Sequence, residues 1–200
     1  MTDRADPFEW SGGHPALDLV NTLDERPFES PIENLATYAG LVQFAELARL
    51  VEPSIAAHLR KLDGPECSRI ARLARKLREH LYDVLAAVHA GDPVPQADLD
   101  AITTAIQAAH KARALVTSAS PGLASYRWTP PMAPDIPLHA SALAIERLLV
   151  DVDSKKIRKC GASDCAVYYV DTSKAHLRQW CSMKNCGNRE KQRRWRSAQP

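Results

Sequence analysis

The chain is 200 residues long, 45% hydrophobic and 25% charged, a balance that excludes a disordered polyelectrolyte and allows a buried core without disulfides. No stretch approaches the roughly 18 uninterrupted apolar residues of a membrane span. The opening MTDRADPFEWSGG lacks the apolar run of an export signal, so the expectation is a cytoplasmic protein with no membrane partner. The net charge of +2 hides an asymmetry: residues 1–150 hold 14 Lys and Arg against 19 Asp and Glu, whereas residues 151–200 hold 12 against 5. An acidic body joined to a basic tail suits a tail that meets a polyanion.

In chain order, Gly12-Gly13 and Pro15 mark a turn, and Leu17, Leu19 and Val20 suggest a short buried segment after it. From Pro31 to about Val51, Leu35, Tyr38, Leu41, Val42, Ala45, Leu47 and Ala48 approximate helical spacing. A short helix is predicted after Pro53, a residue suited to a first helical turn. Residues 65–90 carry the strongest helical pattern, with Ile70, Leu73, Leu77, Leu81, Val84, Leu85 and Val88 on one face and Gly91 as the stop. Another helix is predicted from about Gln96 to Leu115. Residues 116–137 are irregular and proline-rich, although Leu123 to Thr129 reads as a strand paired with Ala114 to Thr117. A last body helix is predicted over about Leu138 to Val150, and the charged SKKIRK (154–159) leads into the tail.

Four of the five cysteines fall in that tail, spaced C-x4-C, fifteen residues, C-x4-C: Cys160, Cys165, Cys181 and Cys186. Each pair can reach one ion, and the intervening stretch can form a hairpin that returns the second pair to the first. Four thiolates satisfy tetrahedral zinc and leave no open coordination position, which defines one structural Zn2+. Two disulfides would use the same count, but they are uncommon in a protein without an export signal. Val167 to Val170 is strand-like, Leu177 to Trp180 is the candidate return strand, and Ser182 is a candidate N-cap for a following helix. A knuckle, a hairpin and a helix near the last ligand form a treble clef. His176 lies between the pairs and is read as solvent-facing; Cys67, alone in a helix's first turn, is read as a packing residue.

Beyond the fourth cysteine come Arg189, Lys191, Arg193, Arg194 and Arg196, opposed only by Glu190. Arg189, Arg193 and Arg196 share one helical stripe, fit to neutralise phosphates, and Trp195 sits beside it to pack or to stack on a base. Arg178 and Lys184 add to the candidate nucleic-acid-binding set. Arg189, Arg193 and Arg194 are expected to carry most of the affinity. A symmetric homodimer would supply a second half-site.

The segment DTSKAHLRQWCSMKNCGNREKQRRWR resembles the CGNR-type zinc finger of bacterial regulators, named for Cys186-Gly187-Asn188-Arg189. GGHPALDLVNT, near the N-terminus, resembles the opening of the ABATE domain that usually precedes this finger. Together the two resemblances cover essentially the whole chain. They imply a stress-induced transcription regulator with a ligand-sensing N-terminal domain and a DNA-binding treble clef. Family members tend to carry basic residues just before the WCSM step; here Gln179 precedes Trp180, so a phosphate contact there falls to Arg178.

His14, Asp18, Asn21 and Thr22 form a polar set among apolar neighbours. They are candidates for binding a small-molecule effector, or for capping and turn-fixing hydrogen bonds. Trp128 either lines such a pocket or fills the core. No phosphate-binding glycine loop or nucleophile elbow occurs, and a closed zinc site holds no substrate, so no enzymatic activity is expected. The resulting fold class is mostly α with a small β element (α+β). A helical ABATE-like domain over residues 1–153 precedes a treble-clef-like finger, a β-hairpin plus helix, over residues 154–200. The expected partner is DNA; RNA binding and protein docking are the alternatives.

Overall fold

A computed structural model describes residues 6–118 and 122–197, so part of the irregular stretch expected over 116–137 lies outside the described residues. The chain forms two compact units, Leu35–Leu148 and the combination of Met1–Asn34 with Leu149–Pro200.

The larger unit is helical. It contains α2 (Tyr38–Leu47), α3 (Pro53–Leu59), α4 (Pro65–Ala90), α5 (Gln96–Lys111), the hairpin β3 (Arg113–Thr117) and β4 (Ala124–Trp128), and most of α6 (Ile136–Asp151). Pro53 and Pro65 each occupy a first helical turn, and Gly91 ends α4 in the left-handed conformation (φ +78°) that side-chain-bearing residues avoid. The helix expected from Pro31 begins only at Tyr38, because the Thr37 side chain caps it by accepting from the Gly40 amide at 3.1 Å. α5 stops at Lys111 rather than Leu115 because residues 113–117 are taken up by the hairpin, in the register Ala114 opposite Arg127 and Leu115 opposite Tyr126. Leu41, Val42 and Ala45 from α2 pack with Ala56, Leu59, Ile70, Ala74, Ile136 and Ala140. Burying each large aliphatic side chain contributes about 1.5–3 kcal/mol. Cys67 is buried in this cluster, and Trp128 packs against it while stacking on His139 at 6.3 Å.

The smaller unit contains α1 (Pro15–Val20), the two-residue strands β1 (Leu23–Asp24) and β2 (Ile32–Glu33), β5 (Ile157–Lys159), β6 (Tyr168–Val170), a wide turn over Met183–Gly187 and α7 (Asn188–Ser197). The finger's hairpin differs from the expected one. β6 pairs antiparallel with β5, which precedes the first cysteine, and residues 177–180 form no strand. The cause is local: the Cys160 amide donates to the Val167 carbonyl at 2.9 Å, so the first C-x4-C loop itself closes the hairpin. Residues 1–34 share this unit with the finger, so the compact units cut the chain differently from the segments 1–153 and 154–200.

Candidate metal centre and basic helix

The four sulfurs of Cys160, Cys165, Cys181 and Cys186 all lie within 4.8 Å of one another. Sγ of Cys181 is 3.9 Å from that of Cys165 and 3.5 Å from that of Cys186. Corners of a tetrahedron with sulfurs about 2.3 Å from its centre are about 3.8 Å apart, so this arrangement fits one zinc ion. Without a cation the cluster cannot hold four thiolates. Thiols of Cys165 and Cys181 donating to Cys160 hold that group far below the usual thiol range, while the same bond pushes Cys165 up to about 12 and burial pushes Cys186 up. A divalent ion removes that conflict, and the Cys181 amide adds an N–H···S bond to Cys160 Sγ at 3.4 Å.

Each residue of the CGNR step has a job around this centre. Cys186 supplies a sulfur. Gly187 is buried where a Cβ would lie 2.9 Å from Met183 Sδ and 3.1 Å from Trp180 Cδ1. The Asn188 side chain donates through Nδ2 to the Lys184 carbonyl at 3.2 Å, closing the wide turn in which Ser182 Oγ accepts from the Asn185 backbone amide. The Arg189 guanidinium donates to Cys186 Sγ at 3.3 Å and to Asp164 Oδ1 at 2.8 Å. Below the centre, buried Asp171 accepts from the Ser173 hydroxyl and amide and from the Arg178 amide, bonds that hold its carboxyl below the usual range. His176 turns its Nδ1 to the Asp171 carbonyl at 3.2 Å, outside the sulfur cluster.

The basic residues divide into three groups. Arg178 faces inward: its guanidinium donates to the carbonyls of Trp180 and Cys181 and lies 4.2 Å over the Tyr169 ring. It therefore braces the finger from within. Arg189 and Arg193 are exposed but converge on Asp164, at 2.8 and 2.9 Å, and Arg193 also bonds Glu190 and Ser163 Oγ. Lys184, Lys191, Arg194 and Arg196 stand exposed on the turn and on α7, with Arg194 5.9 Å over the Trp180 ring. Trp195 is 65% exposed beside them.

The N-terminal polar set is assembled around α1, and its members bond within the protein. His14 Nδ1 accepts from the Ala16 amide at the helix start, and Asp18 Oδ1 accepts from the Gly12 amide at 2.8 Å. Thr22 Oγ1 donates to the Leu19 carbonyl at 2.7 Å. Asn21 reaches the finger: its Nδ2 donates to the Tyr168 carbonyl at 2.9 Å and its Oδ1 accepts from the Tyr168 amide at 3.0 Å. The Val170 amide adds a bond to the Gly12 carbonyl at 2.8 Å. These contacts are capping and turn-fixing bonds of the kind such residues make. The sequence offered no sign that Asn21 pairs with a strand 147 residues away, nor that Asp164 gathers two arginines.

Residues 13–152 match the ABATE family, whose description is "putative stress-induced transcription regulator", and residues 156–199 match the CGNR zinc finger. The chain belongs to the ABATE family, with a CGNR zinc finger at its C-terminal end. No curated protein matches the chain. Among the described residues, no helix is long and apolar enough to cross a membrane.

Proposed function

We propose that this protein is a cytoplasmic, non-catalytic transcription regulator that binds duplex DNA through α7 and the turn before it. The single observation that carries this reading is the set of exposed cations Lys184, Lys191, Arg194 and Arg196 on elements that follow a closed four-cysteine centre. Rigid attachment matters because cations on a floppy tail lose more entropy on binding than cations on a helix fixed by metal. Arg178 leaves the proposed interface because its donors are engaged inside the finger. His14, Asp18, Asn21 and Thr22, engaged in bonds within the protein, likewise leave the proposed effector site. The sensing role falls instead to the larger unit, at the cleft of about 650 Å³ edged by Arg49, Tyr126, Arg127 and Trp128. A homodimer would present two such helices to a symmetric site.

The 65% exposed Trp195 favours a second reading, stacking on unpaired bases of RNA. Zinc-loaded protein titrated into duplex DNA and single-stranded RNA across a salt series separates the two. Duplex binding with log K falling on log salt with a slope of about −3 to −4, one unit per engaged cation, supports the first reading. Preference for RNA with a shallow slope supports the second. Binding to neither polymer by metal-loaded parent and by metal-loaded Asp164→Asn overturns both, and loss of binding in Cys181→Ser ties the activity to the centre.

A further inference from the structure

Arg189 and Arg193 are one helical turn apart on α7, and both guanidinium groups meet the two oxygens of a single carboxylate: Arg189 Nη2 at 2.8 Å from Asp164 Oδ1, Arg193 Nη2 at 2.9 Å from Oδ2. Two planar donors converging on a two-oxygen anion is the geometry by which arginines grip phosphate. The pair is not sealed away. Both arginine side chains are 45% exposed and Asp164 is 25% exposed, so solvent and solutes reach the junction. Beside it, Arg189, Gln192, Arg193 and Arg196 line a surface notch of about 280 Å³ that contains no acidic side chain. Its lining carries three cations and one amide, and no apolar residue.

We propose that Arg189 and Arg193 form a phosphodiester-binding fork that Asp164 occupies in the free protein. A backbone phosphate entering the notch displaces the Asp164 carboxylate and takes over its two guanidinium partners. Arg189 keeps its bond to Cys186 Sγ, which holds the fork to the metal centre during the exchange. Asp164 is thus an internal competitor: it lowers affinity for every nucleic acid and demands a phosphate at one fixed position relative to α7. The inference rests on the nucleic-acid reading above and adds a defined phosphate subsite to it, with a residue that opposes binding.

The test is a comparison of full-length, zinc-quantified variants binding a mixed-sequence duplex by fluorescence anisotropy. Asp164→Asn removes the competing charge. Asp153→Asn removes the same charge elsewhere in the same unit, at a residue whose capping bond to the Lys155 amide an asparagine can also make. Asp164→Asn is expected to bind about threefold to tenfold tighter than Asp153→Asn, the range that two exposed ion pairs supply. Adding Arg193→Ala to Asp164→Asn should abolish the excess. Equal affinities for the two asparagine variants, or an excess that survives Arg193→Ala, overturns the proposal. Asp164→Ser replaces Asp164→Asn if the asparagine variant does not retain zinc, with the same expectation. Absence of binding by the parent removes the nucleic-acid reading only if Asp164→Asn also fails to bind. Binding that appears in Asp164→Asn alone, and not in Asp153→Asn, supports the fork most directly.

Discussion

Asn21 and Tyr168 hold each other by two reciprocal bonds, side-chain amide to backbone carbonyl at 2.9 Å and backbone amide to side-chain oxygen at 3.0 Å, with both residues buried. The asparagine acts as a one-residue strand on the free edge of β6. Replacing it with alanine strands a buried N–H and a buried C=O, each costing about 1–3 kcal/mol. Asn21→Ala should lower stability by about 2–4 kcal/mol in denaturant titrations of zinc-loaded protein. A loss under 1 kcal/mol would show that water satisfies Tyr168 instead.

Asp18 sits where burial pushes its carboxyl up to about 6 from an ordinary 3.8, against the opposing bond from the Gly12 amide. Between those values the folded state binds more protons than the unfolded one, so stability falls as pH rises from about 4 to 6 and levels off above. Asp18→Asn keeps an acceptor for Gly12 and removes the charge. The variant should gain on the order of 1 kcal/mol over the parent at pH 7 and nothing at pH 4. Parallel stability–pH curves for the two proteins would refute the assignment.

Much of this architecture is legible in residue patterns, and the reasons for the gaps are specific. The seven-residue apolar stripe of α4 and its Gly91 stop define that helix to the residue, because a long amphipathic period and a left-handed cap are both local signals. The metal ligands are legible because thiolate spacing is itself the chemistry. The identity of β6's partner was not, since Ile157–Lys159 and Leu177–Trp180 are both short and strand choice depended on one loop bond from Cys160 to Val167. The roles of Arg178, Arg189 and Arg193 were hidden for a related reason. A cation in sequence carries no mark of whether a carbonyl or carboxylate will meet it in space.

Two glycines make close approaches of different kinds. At Gly12 an added Cβ would lie 2.9 Å from the backbone amide of Asp18 and 2.8 Å from its Oδ1, whereas at Gly187 the nearest atom is the thioether of exposed Met183. Helix backbone cannot yield, but a methionine can swing aside. Gly12→Ala should therefore cost about 2–3 kcal/mol and Gly187→Ala about 1 kcal/mol, measured as shifts in denaturation midpoint. The reverse order would mean that Trp180, 3.1 Å from the Gly187 Cβ position, is the immovable neighbour.

Metal removal should act on one unit. The sulfur cluster, with Ala162, Tyr169, Val167 and Trp180 around it, has few apolar side chains to bury, while Leu35–Leu148 has its own helical core. Zinc binding supplies about 10–16 kcal/mol to small finger domains. A strong chelator, or Cys181→Ser, should abolish the tyrosine and tryptophan near-ultraviolet signal of the finger yet retain most of the helical circular dichroism. Cooperative loss of all helix on chelation would show that the larger unit cannot stand without the metal.

Arg178 and the Lys191–Arg194 pair, all cations of the tail, should separate cleanly in a two-readout experiment. Arg178 braces the carbonyls of Trp180 and Cys181 and covers Tyr169, so Arg178→Ala leaves two acceptors beside a metal ligand without their partner. Charge-assisted bonds of this kind contribute about 1.5–3 kcal/mol, so zinc affinity should fall roughly tenfold to a hundredfold in competition with a chromophoric chelator. Lys191→Ala with Arg194→Ala removes two exposed cations that brace no metal ligand, so zinc affinity should be unchanged. Duplex binding should then weaken at low salt, with the salt slope shallower by about two. Arg178→Ala protein saturated with zinc should keep the parent's salt slope, because the Arg178 guanidinium is engaged by carbonyls of the finger. A shallower slope for that variant at full metal occupancy would return Arg178 to the interface.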